Sequence, residues 1–275
     1  MKKEYSFSLW KKLPAFGTAV IIIALFAFLL FLNKQSKTSR DICNAIQAGD
    51  NARLEALLQE GADVNRATHT ILYLPIAILT ENNMLSTPML TACENGNTDA
   101  VALLLKYGAD PNKRIAGGFN AMEAVYSTSA GRDSRFDIVP MLLNCGAEID
   151  NNVAFQEVRL ATDDTAEQSI ALLELYTDVP ESLTDSSGTT LLGKCHSPIV
   201  AAWLIGKGAD VNASNDNGNT PLMYAAERGY GEVIVVLLGS GADAGMKNNE
   251  GKTAYDLAFE NGFNELLELL SPTKQ

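Results

Sequence analysis

The side chains able to do chemistry are few and scattered. Cys43, Cys93, Cys145 and Cys195 lie 50, 52 and 50 residues apart, with no Cys-x-x-Cys pair among them. A zinc site gathers Cys and His at short spacings or brings them together by folding. Here only His196 stands beside a cysteine, Cys195, and the other histidine is His69. Asp163 and Asp164 are adjacent in sequence, so they do not face one another across a cleft; they read as a solvated turn. Gly117-Gly118 follows no strand and lacks the Lys of a phosphate loop. No nucleophile, base and orienting acid fall into one pattern. These spacings argue against an enzyme, a metal, a cofactor or a small-molecule substrate, and leave binding as the function class.

What positions these residues is clearest in Asn215–Asp243, NDNGNTPLMYAAERGYGEVIVVLLGSGAD. Thr220 can cap a helix that opens with Pro221, where a missing N–H costs nothing. Leu222, Ala225 and Ala226 give that helix a thin apolar face, and Gly229 can end it in a left-handed conformation. A second helix carries Val233, Val236, Leu237 and Leu238 up to Gly241. Helices this short are marginal alone, since about 12–15 residues are needed even in good sequences. The unit must be buried by copies of itself.

Copies exist. Gly61-Ala62-Asp63, Gly108-Ala109-Asp110, Gly146-Ala147-Glu148, Gly208-Ala209-Asp210 and Gly241-Ala242-Asp243 are 47, 38, 62 and 33 residues apart. Three continue to Asn65, Asn112 and Asn212. The helix-opening Thr-Pro recurs at Thr87-Pro88, with looser versions at Thr189-Thr190, Asn120-Ala121 and Thr253-Ala254. This pattern resembles the ankyrin repeat, a turn and two helices of about 33 residues, over about 39–271. The resemblance implies an all-α ankyrin-repeat solenoid of six to seven repeats, one of them degenerate.

The resemblance also implies that proteins bind along a concave face made of turn tips and first helices. On matching positions that face comprises Glu94 and Asn95 in the second repeat and Phe119 on the third turn. The fifth adds Ser186, Ser187, Thr189 and His196, and the sixth Asp216, Asn217, Asn219, Glu227 and Arg228. The seventh adds Asn249, Glu250, Lys252, Glu260 and Asn261. Cys93 and Cys195 fall where Ala226 stands, so the cysteines read as small buried thiols. Repeats lie about 10 Å apart, beyond the Cα limit of about 7 Å for a disulfide.

Two stretches depart from the period. Between Asn65 and Thr87 an apolar insert with Leu72, Tyr73, Leu74, Ile76 and Ile78 is expected to pack on the stack, because large exposed apolar patches are rare. In the third repeat STSAGRDSR reads as a polar insertion, and Arg132 and Arg135 make it a basic patch. The repeat at about 151–185 has lost both the Thr-Pro and Gly-Ala-Asp marks. The last repeat, Met246–Pro272, with Glu260, Glu265 and Glu268, is expected to be the polar-faced cap that such arrays need.

Charge and the N-terminal segment narrow the partner. The chain carries 21 Lys and Arg against 33 Asp and Glu, and from Asp41 onward 14 bases face 32 acids, a balance of −18. Such a field repels nucleic acid, whose binding rests on Lys and Arg; it either keeps an elongated repeat protein soluble or favours a basic protein partner. Leu13–Leu32, LPAFGTAVIIIALFAFLLFL, is twenty residues without a charge. A helix of that length spans about 30 Å, the thickness of a bilayer core. It exceeds a signal peptide's apolar run and no small-x-small cleavage site follows, so it reads as an uncleaved anchor. The expected organisation is a basic leader (1–12), a transmembrane helix (13–32), a linker (33–38), one repeat domain (39–272) and a tail (273–275). Lys2, Lys3, Lys11 and Lys12 before the span favour a cytoplasmic N-terminus. That puts the repeats in a bacterial periplasm, with the cytoplasm as the alternative. The function expected is a membrane-anchored scaffold binding a protein; the runner-up is an inhibitor or immunity-type protein whose acidic surface blocks a basic toxin or hydrolase.

Overall fold

The structure, a computed structural model, describes residues 38–67, 86–114, 120–178 and 180–271. The expected anchor at 13–32, most of the apolar insert including Tyr73, the turn residue Phe119 and the tail lie outside the described residues. Among the described residues no helix is long and apolar enough to cross a membrane. The chain divides into two compact units, 1–121 and 122–275.

In the first unit, α1 (38–47) and α2 (Asn51–Gln59) are followed by α3 (Pro88–Glu94) and α4 (Thr98–Lys106). Each start is capped as the residue types require. Asp50 accepts from the Arg53 amide at 2.9 Å, Thr87 from Leu90 at 3.2 Å, and Asn97 from Ala100 at 3.0 Å. Such caps are each worth about 1 kcal/mol. Larger gains come from Ile42, Ile46, Leu54 and Leu104, all fully buried, at about 1.5–3 kcal/mol each. α4 packs on both α2 and α3, so neither helix pair closes its core alone.

The second unit repeats that logic. It opens with α5 (Ala121–Ser127), α6 (Ser129–Asp133) and α7 (Arg135–Asn144), followed by α8 (Asn151–Leu160) and α9 (Ala166–Tyr176). Then come α10 (Leu191–Lys194) with α11 (Pro198–Gly206) and α12 (Pro221–Arg228) with α13 (Gly231–Gly239). Last are α14 (Ala254–Glu260) and the short α15 (Leu267–Leu270). α8, α10, α12 and α14 pack in a row, and α7, α9, α11 and α13 form a second row behind them.

Side chains that read a neighbour's backbone stitch the repeats together. Asn65 donates to the Gly108 carbonyl at 3.1 Å and accepts from the Asp110 amide at 2.7 Å. Asn212 does the same with Gly241 at 3.2 Å and Asp243 at 2.9 Å. The preceding Asp sets each clamp: Asp63 and Asp210 accept from the amides of Asn65 and Asn212 at 3.0 and 2.9 Å. The finger turns are stitched similarly. Asp185, Asn215 and Asn248 each accept from the amides two and four residues on. The Asp216 backbone amide donates to the Ser187 carbonyl and the Asn249 amide to that of Asn217, both at 3.0 Å.

Within the polar insertion STSAGRDSR, Thr128 caps α6, accepting from the Gly131 amide at 3.1 Å. Three expectations need correction. The cap of α10 is Thr190, one residue later than Thr189-Thr190 implies, because the Asp185 turn has the same spacing as the Asn215 turn. Cys195 therefore aligns with Ala225 rather than Ala226. Cys43, Cys93 and Cys195 are buried, but Cys145 is exposed; all four are free thiols. The last repeat is not wholly polar-faced, since Phe259 is 62% exposed and Tyr255 and Leu269 also face solvent.

Gly229 and Gly239 separate two glycine roles. Gly229 ends α12 at φ +76, and a Cβ there would overlap the Phe263 ring, whereas Gly239 lies in α13 with open space where its Cβ would be. Gly229→Ala is expected to destabilise by about 1–3 kcal/mol. Gly239→Ala is expected to stabilise by about 0.4–1 kcal/mol. Urea unfolding of the full chain, followed by helical circular dichroism, measures both.

Candidate interaction face

A buried polar cluster lies inside the second unit. Glu157 on α8 is fully buried and Arg135 on α7 is 6% exposed. The Arg135 Nε donates to both carboxylate oxygens, at 3.2 and 3.0 Å, and Nη1 donates to the Arg132 carbonyl at 2.7 Å. The Ser169 hydroxyl donates to Glu157 at 2.6 Å and the Tyr126 hydroxyl donates to Glu157 at 2.8 Å, while the Tyr126 and Tyr176 hydroxyls bond to each other. Arg135 Nη2 has no hydrogen-bond partner among the described residues. Arg135 is therefore no part of a surface basic patch. The cluster spans the third and fourth repeats, where Asp150 occupies the place of the clamp Asn and instead caps α8.

Burial raises both phenols above the ordinary tyrosine range, with the neighbouring Glu157 charge adding to it. A group raised in the folded state contributes stability that is intact below its unfolded value and lost as pH climbs past it. The second unit is therefore expected to weaken above about pH 10, and Tyr126→Phe to soften that decline. Arg135→Met leaves a buried carboxylate unpaired, expected to cost about 3–5 kcal/mol. Adding Glu157→Leu is expected to recover most of this loss. Urea unfolding across pH 7–11, the chosen range, reads both effects.

The turn tips project from these elements, and many of their side chains are engaged within the fold. Asn219 accepts from Asn248 at 2.9 Å, and Asn249 donates to the Asp216 carbonyl at 3.0 Å. Thr189 is buried and accepts from Asn215 at 3.0 Å, so it is not a surface position. Asn261 donates back to Leu257 at 2.8 Å. Asp216, Asn217 and Glu227 remain exposed. In the first unit Asn95 is exposed, and half-buried Glu94 is raised above the usual carboxylate range by desolvation.

Two depressions organise what remains. The smaller, about 180 Å³, brings together Glu227, Glu250, Glu260 and Lys252 between the sixth and seventh repeats. Lys252 bridges Glu250 at 3.2 Å and Glu260 at 2.8 Å, which hold its ammonium above its ordinary range. Asn219 and Asn261 line the same hollow.

The larger is a groove of about 480 Å³ across the fourth to sixth repeats. α8 contributes Asn152, Phe155 and Arg159; the fifth repeat contributes Asp185, Lys194 and His196; Arg228 and Tyr230 close the far side. His196 donates from Nε2 to the Arg159 carbonyl, and its ring lies 5.6 Å from that of Tyr230. Lys194 pairs with Asp185 at 3.0 Å. Desolvation pushes the Asp185 carboxyl up, but the Ser187 hydroxyl, Lys194 and the amides of Ser187 and Thr189 outweigh it and hold the group well below the usual range.

Of the positions expected from sequence, the structure brings His196 and Arg228 to the groove and Asn219, Glu227, Glu250, Lys252, Glu260 and Asn261 to the hollow. Arg159 and Lys194 went unrecognised. Arg159 sits in the repeat without registering marks, and Lys194 was hidden by the one-residue offset in α10. A Thr190-based register would have aligned Lys194 with Tyr224.

Nucleophilic chemistry finds no footing at the three buried thiols. Desolvation pushes Cys195 up to about 12, its bond to the Ser197 carbonyl region notwithstanding, and raises Cys43 and Cys93 as well. Among the described residues no cluster of His, Cys, Asp and Glu has the makings of a metal site. Asp163 accepts from the Ser197 hydroxyl at 2.9 Å, so it ties the fourth repeat to the fifth rather than forming only a solvated turn.

Residues 42–153 match the family model described as ankyrin repeats (3 copies), and 197–258 match that for ankyrin repeats (many copies). Together they span more than half of the chain, which is an ankyrin-repeat protein. The crystal structure of the human ASB11 ankyrin repeat domain aligns with a TM-score of 0.61 over 85% of this chain and 99% of that one, at 22% identity. That likeness concerns the fold alone. A 77-residue stretch is 35% identical to the 2-5A-dependent ribonuclease of Mus musculus, covering 28% of this chain and 9% of that protein. Ankyrin repeats form protein–protein interaction domains.

Proposed function

We propose that the chain is a membrane-anchored scaffold that binds a protein through the turn tips and first helices of its repeats. Residues 13–32 cross the bilayer once, and the repeat domain, 39–272, lies on the periplasmic side of a bacterial inner membrane. The observation that carries the binding assignment is the open groove and adjoining hollow along α8, α10, α12 and α14. There charged and aromatic side chains face outward while the apolar sides of the same helices are used in stacking. Recognition needs no catalytic group, and the buried thiols offer none.

The hollow lined by Glu227, Glu250 and Glu260, within a domain of charge −18, favours a second reading. In it the array is an inhibitor or immunity-type protein that covers a basic toxin or hydrolase. Contact residues at the tips are Asp216, Asn217 and Asn249, joined in the first unit by Glu94 and Asn95, with Phe119 on the third turn.

Cross-linking of the full-length chain in membranes tests the binding assignment. A discrete adduct is expected that Glu227→Lys and Glu260→Lys weaken about tenfold or more each and that added salt dissociates. Adducts insensitive to every substitution on this face would refute it. Alkaline phosphatase fused after Gln275 is expected to be active; an inactive fusion would place the repeats in the cytoplasm. Relief of toxicity on co-expression with a basic hydrolase would favour the inhibitor reading.

A further inference from the structure

The charge of the larger groove opposes that of the domain around it. From Asp41 onward acids outnumber bases 32 to 14, yet the groove gathers Arg159, Lys194, Arg228 and His196 around one acid, Asp185. Lys194 and Asp185 answer one another at 3.0 Å, which leaves the two guanidinium groups as its surplus charge. Arg159 is exposed and makes no ion pair among the described residues. Among the described residues Arg228 pairs only with its own neighbour, Glu227, at 3.8 Å, and it rests over the Tyr224 ring with 5.0 Å to the centroid. A stacked guanidinium keeps its outer N–H edge free for a carboxylate.

The walls of the groove are fixed. The bond from His196 to the Arg159 carbonyl ties the loop between α10 and α11 to the end of α8. Tyr230 stands against His196, and Lys194 lies over Tyr224 at 5.3 Å. Two cations are thereby presented on separate repeats that line one groove with Tyr230, on elements tied by contacts of His196 and Lys194. Preorganised donors of this kind are the ones that bind carboxylates bidentately.

We propose that this groove receives a short acidic segment of a partner protein, its carboxylates on Arg159 and Arg228 and an apolar side chain against Tyr230. The inference rests on the protein-binding assignment above and specifies the contact at this part of the face. Long polyanions such as nucleic acid are repelled by the surrounding −18 charge. A segment with two or three carboxylates is instead held by contact, within the roughly 8–10 Å over which charges act in physiological salt. The long-range field and the local groove thus select different features of one partner: a basic surface for approach and an acidic segment for docking.

Fluorescence anisotropy on the detergent-solubilised full chain tests this. The probes are a fluorescein-labelled Glu-Asp-Tyr-Glu-Asp peptide, its Lys-Lys-Tyr-Lys-Lys counterpart and unlabelled tripolyphosphate as competitor. The acidic peptide is expected to bind, to weaken about tenfold in each of Arg159→Glu and Arg228→Glu, and to be unchanged in Glu167→Gln, an exposed position on α9 outside the groove and the hollow. Arg159→Gln is a milder variant expected to weaken binding less, and circular dichroism checks that each variant keeps its helices. Acidic-peptide binding that ignores both Arg substitutions, or is absent, would overturn the proposal. So would tripolyphosphate displacing the peptide at equal concentration, which would make the groove a simple anion site. If the acidic peptide fails while the membrane cross-link persists and still responds to Glu227→Lys, the groove assignment alone is wrong.

Discussion

Every helix among the described residues of the repeats is too short to stand alone, and the bonds that let neighbours support one another decide the rest. α10 has four residues and most others seven to ten. Isolated helices of that length nucleate at a loss in water. The answer is a side chain that reads the next repeat's backbone. Asn65 and Asn212 each satisfy one carbonyl and one amide of the following Gly-Ala-Asp loop. Because an amide side chain both donates and accepts, one residue closes two backbone groups that would otherwise be left at helix ends. Burial of the apolar rows supplies the larger free energy, but these clamps set the register in which burial occurs.

Where the clamp is missing, the chain uses another device. At the third-to-fourth junction Asp150 cannot donate as Asn does, and a buried ion pair between Arg135 and Glu157 takes over, with Tyr126, Tyr176 and Ser169 around it. Such a pair adds little net stability compared with apolar packing, but it tolerates no loss of either partner. The fourth-to-fifth junction is likewise improvised, with Ser197 on Asp163 and His196 on the Arg159 carbonyl. Recognition groups collect at the same junction, since the side chains that hold the irregular repeats also shape the groove between them.

Much of this was readable before any coordinates. Thr87, Thr220 and Thr253 cap where a Thr ahead of a helix should, and the Gly-Ala-Asp loops fall where helices must stop. Local backbone chemistry is written in local sequence. What was hidden depended on distance in the chain. Arg135 looks like a surface base until Glu157, 22 residues on, is brought against it. Arg159 looks like an ordinary helix-end cation, because the repeat that carries it has lost the marks by which its facing position could be assigned. The net charge was readable as a sum, yet a sum says nothing of where the few bases converge.

The most direct test of the central claim is native-state hydrogen exchange on the full chain carrying Asn212→Ala. If neighbour-to-neighbour clamps support the helices, losing two bonds worth about 1–3 kcal/mol together frees the sixth and seventh repeats. Amide protection in α12, α13 and α14 should then fall about tenfold or more, while α8 and α9 keep theirs. Equal loss of protection from α8 through α14, or no loss anywhere, would contradict it.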